Sequence, residues 1–360
     1  MKFLIFITLI LTLLVKTSFC LAADERSPKG REKRFHIALL VDKLDNTFWA
    51  NFVRIMEVAA LQLDLKVSIH QGHQSHLAMI EKAKQLAESP DRPDVLLFKS
   101  YKGNGQQILD IATKYKIKAF SINAPINFEP GVRERYTYLI GELLPDDEQA
   151  GYELLRALRE NMLAKNIKHI DLLAINGDQA DSPARLREAG LKRAVAEFKD
   201  VTLHQHIFDS WSAAHVANRY EILMKRYPNV NAVWGGDDAI ALEVVRKAKS
   251  LGQVPGRDIF IGGIDISPQA LSAIQKGDLV TSVGGHILDG ARAMVILYDY
   301  FKTGSLELDG GLTPMLPVTR SQLPLYIQIM NPEKKVPLNF RQYSKTLYPK
   351  ASYDFRLPKE

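Results

Sequence analysis

The strongest constraint on this chain is a rhythm. From Phe35 onward, short apolar runs alternate with longer segments whose apolar residues recur at helical spacing. "FHIALLV", "LKVSI", "PDVLLF" and "KAFSI" read as buried strands. Between them "TFWANFVRIMEVAALQL", "HLAMIEKAKQLAE" and "GQQILDIATKY" read as helices, the first with Thr47 as N-cap. After "YTYLIGE" the rhythm restarts. "HIDLLAI", "VTLHQHIF", "VNAVWGG", "DIFIGGI" and "LVTSVGG" are strands. They are set among the helices "DDEQAGYELLRALRENML", "SPARLREAGLKRAVAEF", "SAAHVANRYEILMKRY", "AIALEVVRKAKSLG", "SPQALSAIQKG" and "ILDGARAMVILYDYFKTG". Ser182 is the expected N-cap of "SPARL", with Pro183 at its first turn. Strand–helix alternation of this kind predicts parallel sheets covered by helices on both faces, here in two α/β lobes. The first lobe is expected over 35–140 plus 286–314. The second is expected over 141–285 plus part of a proline-rich tail, 315–360, in which "LYIQI" reads as a last strand. Crossings between the lobes near Ile140, near Gly285 and again in the tail would form a multi-strand hinge.

The N-terminus has a different character. Lys2, an apolar stretch from Phe3 to Val15 and small residues at Ala22 and Ala23 have the layout of a secretory signal peptide over 1–23. The apolar run is too short to cross a bilayer as a helix. Phe19 before Cys20 does not fit a lipoprotein acceptor. A charged linker, 24–34, comes next. Cys20 is the single cysteine, so cleavage leaves an exported chain held by its core and not by disulfides. The expected location is the periplasm, and the expected state a monomer. The net charge of +6 is spread along the chain with no basic stripe, which disfavours nucleic acid as a partner.

In parallel α/β sheets, ligands bind beyond the C-terminal ends of the strands. The first strand ends at Asp42, followed by Asn46, Phe48 and Trp49, and "KAFSI" ends at Asn123. In the second half, "HIDLLAI" runs into a helix carrying Arg187, "VNAVW" ends in "GGDD" with Asp237, and "DIFIGGI" ends at Asp265. Aromatic faces cover the apolar face of a sugar ring, while Asp, Asn and Arg bond its hydroxyls in the ring plane. The set suits a small polyhydroxylated ligand.

These residues also carry a resemblance. "NTFW", "SPARLREAG", "GGDDAIALEVVRKA" and "IGGID" resemble the motifs of the type I periplasmic binding proteins, the family of ribose- and galactose-binding proteins. The likeness runs from about Phe35 to the C-terminal region. "RPDVLLF", "PDDEQAGY", "VGGHILDGARAMVILYDY" and "FRQYSKTLYP" are similar to a sugar-binding-like branch of ABC transporter substrate-binding proteins. The resemblance implies two Rossmann-like lobes and a receptor without enzymatic activity or cofactor, which closes around a sugar, a polyol or a related metabolite and docks on a membrane permease. It implies ligand contacts by Phe48, Trp49 and Asn123 from the first lobe, by Arg187, Asp237 and Asp265 from the second, and by Trp211, with Asp42 and Asn46 shaping the rim. Two departures stand out. Ribose receptors carry Asp-Arg after the fourth strand, where this chain has Asn123-Ala124. A Gln often found at the last strand end is replaced by Gly285, with His286 beside it. One cation and one amide fewer point away from ribose itself.

Plainer readings stand beside each of these. Phe48 and Trp49 fit the core of the first helix, Arg187 fits a helix surface, and Asp237 fits a cap, although Asp238 is the better cap. His70, His73 and His76 have metal-ligand character but no acidic or cysteine partner nearby, so no metal is predicted. "KGNGQQ" lacks the third glycine of a dinucleotide fingerprint, and no G-x-S-x-G elbow is present. Two alternatives remain: a sensory receptor docking on a membrane signalling protein, and an exported enzyme.

Overall fold

The computed structural model describes residues 34–306, 308, 312–319 and 321–355; the signal-peptide expectation and nearly all of the linker lie outside them. In the first lobe β1 (His36–Val41), β2 (Lys66–Gln71), β3 (Val95–Phe98), β4 (Lys118–Ile122) and β5 (Leu139–Leu143) form a sheet of order β2-β1-β3-β4-β5, parallel throughout. Its helices are α1 (Thr47–Gln62), α2 (His76–Glu88) and α3 (Gly105–Tyr115). The second lobe contains α4 (Asp147–Ala164), β6 (Ile170–Asn176), α5 (Ser182–Glu197), β7 (Val201–Phe208), α6 (Ala213–Arg226), β8 (Ala232–Gly235), α7 (Asp238–Ser250), β9 (Phe260–Ile264), α8 (Pro268–Lys276) and β10 (Thr281–Gly284). α9 (Asp289–Thr303) then returns to pack on α1. β11 (Leu316–Pro317) pairs antiparallel with β10, giving the order β11-β10-β9-β8-β6-β7.

Three chain segments pass side by side between the sheets. Pro145 bridges Thr313, with the Asp146 N–H donating to the Thr313 carbonyl at 2.9 Å. Gly285 abuts Pro314: a Cβ at Gly285 would lie 2.6 Å from the Pro314 oxygen, and its φ of +146° suits glycine alone. The chain leaves the first sheet only after Leu143, because β5 belongs wholly to that sheet.

Local chemistry accounts for the differences from expectation. "LYIQI" lies in a helix, α10 (Leu323–Met330), not a strand. Leu323, Tyr326, Ile329 and Met330 are its buried residues, a helical spacing that the unbroken apolar run conceals. They join a core shared with β1, α1 and α9, and Asp299 of α9 pins the tail by accepting from the Lys345 N–H and the Tyr353 hydroxyl at 2.7 and 2.8 Å. Asn46, not Thr47, caps α1, its Oδ1 accepting from the Trp49 N–H at 2.8 Å. Asp181, not Ser182, occupies the N-cap position of α5 and makes no capping bond.

Candidate functional site

Each sheet has one place where neighbouring strands lead away in opposite directions, between β1 and β3 in the first and between β6 and β8 in the second. These switch points open crevices at the strand ends, and here they face one another. Between them lies a cavity enclosing about 460 Å³ of empty space, counted to its open mouth. Asp42, Asn46, Phe48, Trp49, Asn123, Arg187, Trp211, Asp237 and Asp265 all line it, so the structure brings the nine residues singled out from sequence to one place. Lys43, Lys99, Asp181, Pro183 and His286 complete the lining.

The first-lobe wall is aromatic. Trp49 packs edge-on against Phe48 and Phe52, with centroids 5.2 and 5.0 Å apart, and Phe48 stacks on His286 at 4.6 Å. Phe48 and Trp49 are only 9% and 3% exposed and belong to the core as well as to the cavity. Each ring is thus core on one side and cavity wall on the other. His286 comes from the second crossing. Burial pushes its pKa down to about 4, helped by the charge of Arg187, so it is neutral at pH 7. A neutral imidazole thus lines the cavity, next in sequence to Gly285.

The second-lobe wall is a hydrogen-bonded network. α4 and α5 cross where Gly151 meets Arg187 and Gly190 meets Glu148. A Cβ on either glycine would fall within 2.0 Å of a backbone oxygen of the facing helix. This close approach lets the Arg187 Nε donate to Asp147 at 2.8 Å, while its Nη1 donates to the Gly236 carbonyl at 2.7 Å and lies 3.8 Å from Asp265. Burial opposes the Arg187 charge, but Asp147 and Asp265 outweigh it and raise its pKa. These bonds use Nε and Nη1, which leaves Nη2 as the edge of the guanidinium available to a ligand. Trp211, in the left-handed region at φ +54°, lays its ring over Gly177 and lies 5.6 Å from the guanidinium.

Asp237 caps α7, its Oδ1 accepting from the Ile240 N–H at 2.7 Å, and also lines the cavity. Asp238, the cap expected from sequence, does something else. Its two oxygens accept from the Ser267 N–H and the Ser282 hydroxyl, both at 2.7 Å, and Ser282 in turn accepts from the Ile266 N–H at 2.8 Å. That clamp holds Asp265 at φ +125° and Ile266 at φ +60°, conformations an ordinary residue adopts only under constraint. Asn123 lies in the left-handed region at φ +67°, which asparagine enters readily. Burial raises the pKa of Asp237 and of Asp265; the charge of Asp265 adds to the effect on Asp237, and Arg187 works against it on Asp265. Ser267 caps α8 as its sequence suggests, leaving Asp265 to the cavity.

Lys99 is a site residue that the strand-end pattern did not single out. It lies just past β3, is 4% exposed, and donates to Asp42 at 3.1 Å and to Asp181 at 3.0 Å. Burial works against its charge, but Asp181 and Asp42 together raise its pKa. The only available signal was a lysine at the C-terminal end of a buried strand. The histidines lie elsewhere: His70 bonds Ser68 at 3.0 Å, His73 sits in a left-handed turn, and His76 opens α2.

Comparison with known proteins agrees with this geometry. The periplasmic binding protein domain model matches residues 37–303. A solved periplasmic sugar-binding protein from Pseudomonas fluorescens is 29% identical, with a TM-score of 0.80, over 89% of this chain and 97% of that one. A D-apiose import binding protein of Actinobacillus succinogenes is 24% identical over 199 residues, 55% of this chain and 60% of that protein. A D-galactose/methyl-galactoside binding periplasmic protein of Haemophilus influenzae is 23% identical over 299 residues, 76% of this chain and 83% of that protein.

Proposed function

The chain belongs to the periplasmic binding protein domain family, and from that premise we propose that it is a periplasmic solute-binding receptor for a small polyhydroxylated ligand, a sugar or sugar-like polyol, which it presents to an ABC transporter permease. The observation that carries this reading is the cavity in which the rings of Phe48, Trp49 and Trp211 meet Arg187, Asp237 and Asp265. Rings exclude water from the C–H face of a sugar. Carboxylates accept from its hydroxyls, and the remaining guanidinium edge donates to them. Each polar group so placed is left unpaired by an analogue lacking the hydroxyl, which sets selectivity. Binding bridges the lobes, and the closed surface becomes the signal to the membrane partner. The action is binding and closure, with no bond made or broken in the ligand. The leader-like N-terminus and the family together support export to the periplasm.

A thermal-shift screen of pentoses, hexoses and cyclitols tests this. A true ligand at about 100 times its dissociation constant adds ~2.7 kcal/mol of stability, and calorimetry should then return one site per chain. Failure of every sugar and polyol, with binding of a ligand that has no hydroxyls, overturns it.

A further inference from the structure

Two short segments face each other across the cleft, and their charges match in register. After β3 the chain reads "KSYK", with Lys99 and Lys102 three residues apart. After β6 it reads "DQAD", with Asp178 and Asp181 three residues apart. Lys99 meets Asp181 at 3.0 Å in a buried pair, and Lys102 meets Asp178 at 3.3 Å at the rim. The two segments run antiparallel, so both pairs form at once. Tyr101 stands between the two ammonium groups, 5.3 Å from that of Lys99 and 5.1 Å from that of Lys102. The backbone turns sharply there, with Lys102 at φ +48° followed by Gly103 at φ +82°, and this turn presents the second lysine.

We propose that this double pair is an interlobe clasp whose attraction favours the closed arrangement whether or not a ligand is bound. Asp181 is the informative partner. It holds the N-cap position of α5, where a carboxylate ordinarily accepts from the helix's first N–H groups, yet it makes no such bond and reaches Lys99 instead. Asp42 lies on the same lobe as Lys99, so opening the cleft would part Lys99 from Asp181 and not from Asp42. Closure alone adds Asp181. Withdrawal from water strengthens the attraction within the inner pair and sets a desolvation cost against it, while the hydrated rim pair supplies reach and register as the lobes approach. The apparent affinity of a receptor scales with the fraction already in the binding-competent form, so a clasp that raises this fraction ten-fold tightens binding ten-fold without touching the ligand.

This inference rests on the receptor reading, but its test needs no ligand. The full mature chain, freed of co-purified solute by unfolding, dialysis and refolding, is measured by small-angle X-ray scattering. Wild type should be more compact than Asp181→Asn, which keeps the Asp42–Lys99 bond and therefore the lysine's local partner. Lys102→Glu should also open the molecule, by less, and Lys102→Glu combined with Asp178→Lys should restore the wild-type radius of gyration. Circular dichroism confirms that each variant is folded. A wild type as expanded as Asp181→Asn, or a charge swap that fails to restore compactness, overturns the clasp. Either result leaves the sugar-binding reading intact, because the ligand screen tests that separately.

Discussion

The two walls of the cleft are built on opposite terms. On the first-lobe side, Phe48 and Trp49 are continuous with a core that includes α1, α9, α10 and the tail, and packing alone orients them. On the second-lobe side, Arg187, Asp147, Asp237, Asp238 and Asp265 are oriented by hydrogen bonds and ion pairs among buried charges. The apolar wall adds to stability while it lines the cavity. The charged wall costs stability to hold, since buried carboxylates retain their water-like energy only when fully partnered. Packing thus fixes the rings of Phe48 and Trp49, and a charge network fixes Arg187 and its acids, although Asp42, Lys99 and Asn123 add polar groups from the first lobe.

Arg187→Met should expose this difference most. It leaves Asp147, 1% exposed, buried beside a thioether. Breaking a buried pair from one side costs about 3–5 kcal/mol, so chemical denaturation should show a loss of that order together with loss of sugar binding by calorimetry. A variant of normal stability would mean that the second wall is not interlocked.

The next effect has the opposite sign. The Asp265 pKa is raised in the folded protein by burial, so the folded state holds this proton more tightly than the unfolded chain does. Below the unfolded carboxyl value both states are protonated and no penalty exists. As pH rises above it the unfolded chain ionises first, and the folded state loses stability until its own carboxyl ionises. Asp265→Asn removes that penalty. The ligand-free variant should be more stable than wild type by about 1 kcal/mol or more at pH 8, with the gap closing towards pH 4, while affinity for the selected sugar falls at least several-fold. A gap independent of pH would show that Asp265 is not the group responsible.

The same division governs how much of the molecule was legible in its sequence. The strand–helix rhythm marks the ends of β1, β6, β8 and β9, and the residues just past them do line the cavity. Position along a strand is a local property, so it can be read from the residues themselves. The partner of a charge is not local. Lys99 finds Asp181 82 residues away, and nothing in "LLFKS" distinguishes it from a surface lysine. In "GGDD" sequence position favours Asp238 as the cap; the Ser282 hydroxyl and the Ser267 N–H, brought in from β10 and the start of α8, assign Asp238 to the clamp instead and leave Asp237 the cap. The tail misled for a related reason. An unbroken apolar run shows no period until its surroundings decide which residues are covered, and the core against α1 and α9 covers Leu323, Tyr326 and Ile329.

Asn46 gives the smallest effect and the sharpest division between the walls. Sequence position suggests a rim residue that touches ligand, but its side-chain oxygen is committed to the Trp49 N–H at the start of α1. Replacing such a cap by Ala costs about 1 kcal/mol, and the loss falls on the first turn of the helix that carries Phe48 and Trp49. Asn46→Ala should therefore lower the unfolding free energy, measured by chemical denaturation, by that amount. If capping is its whole contribution, Asn46→Ser, which keeps an N-cap acceptor, should recover both stability and affinity. Recovery of stability alone would place the amide on the ligand, beside the two rings that its helix carries.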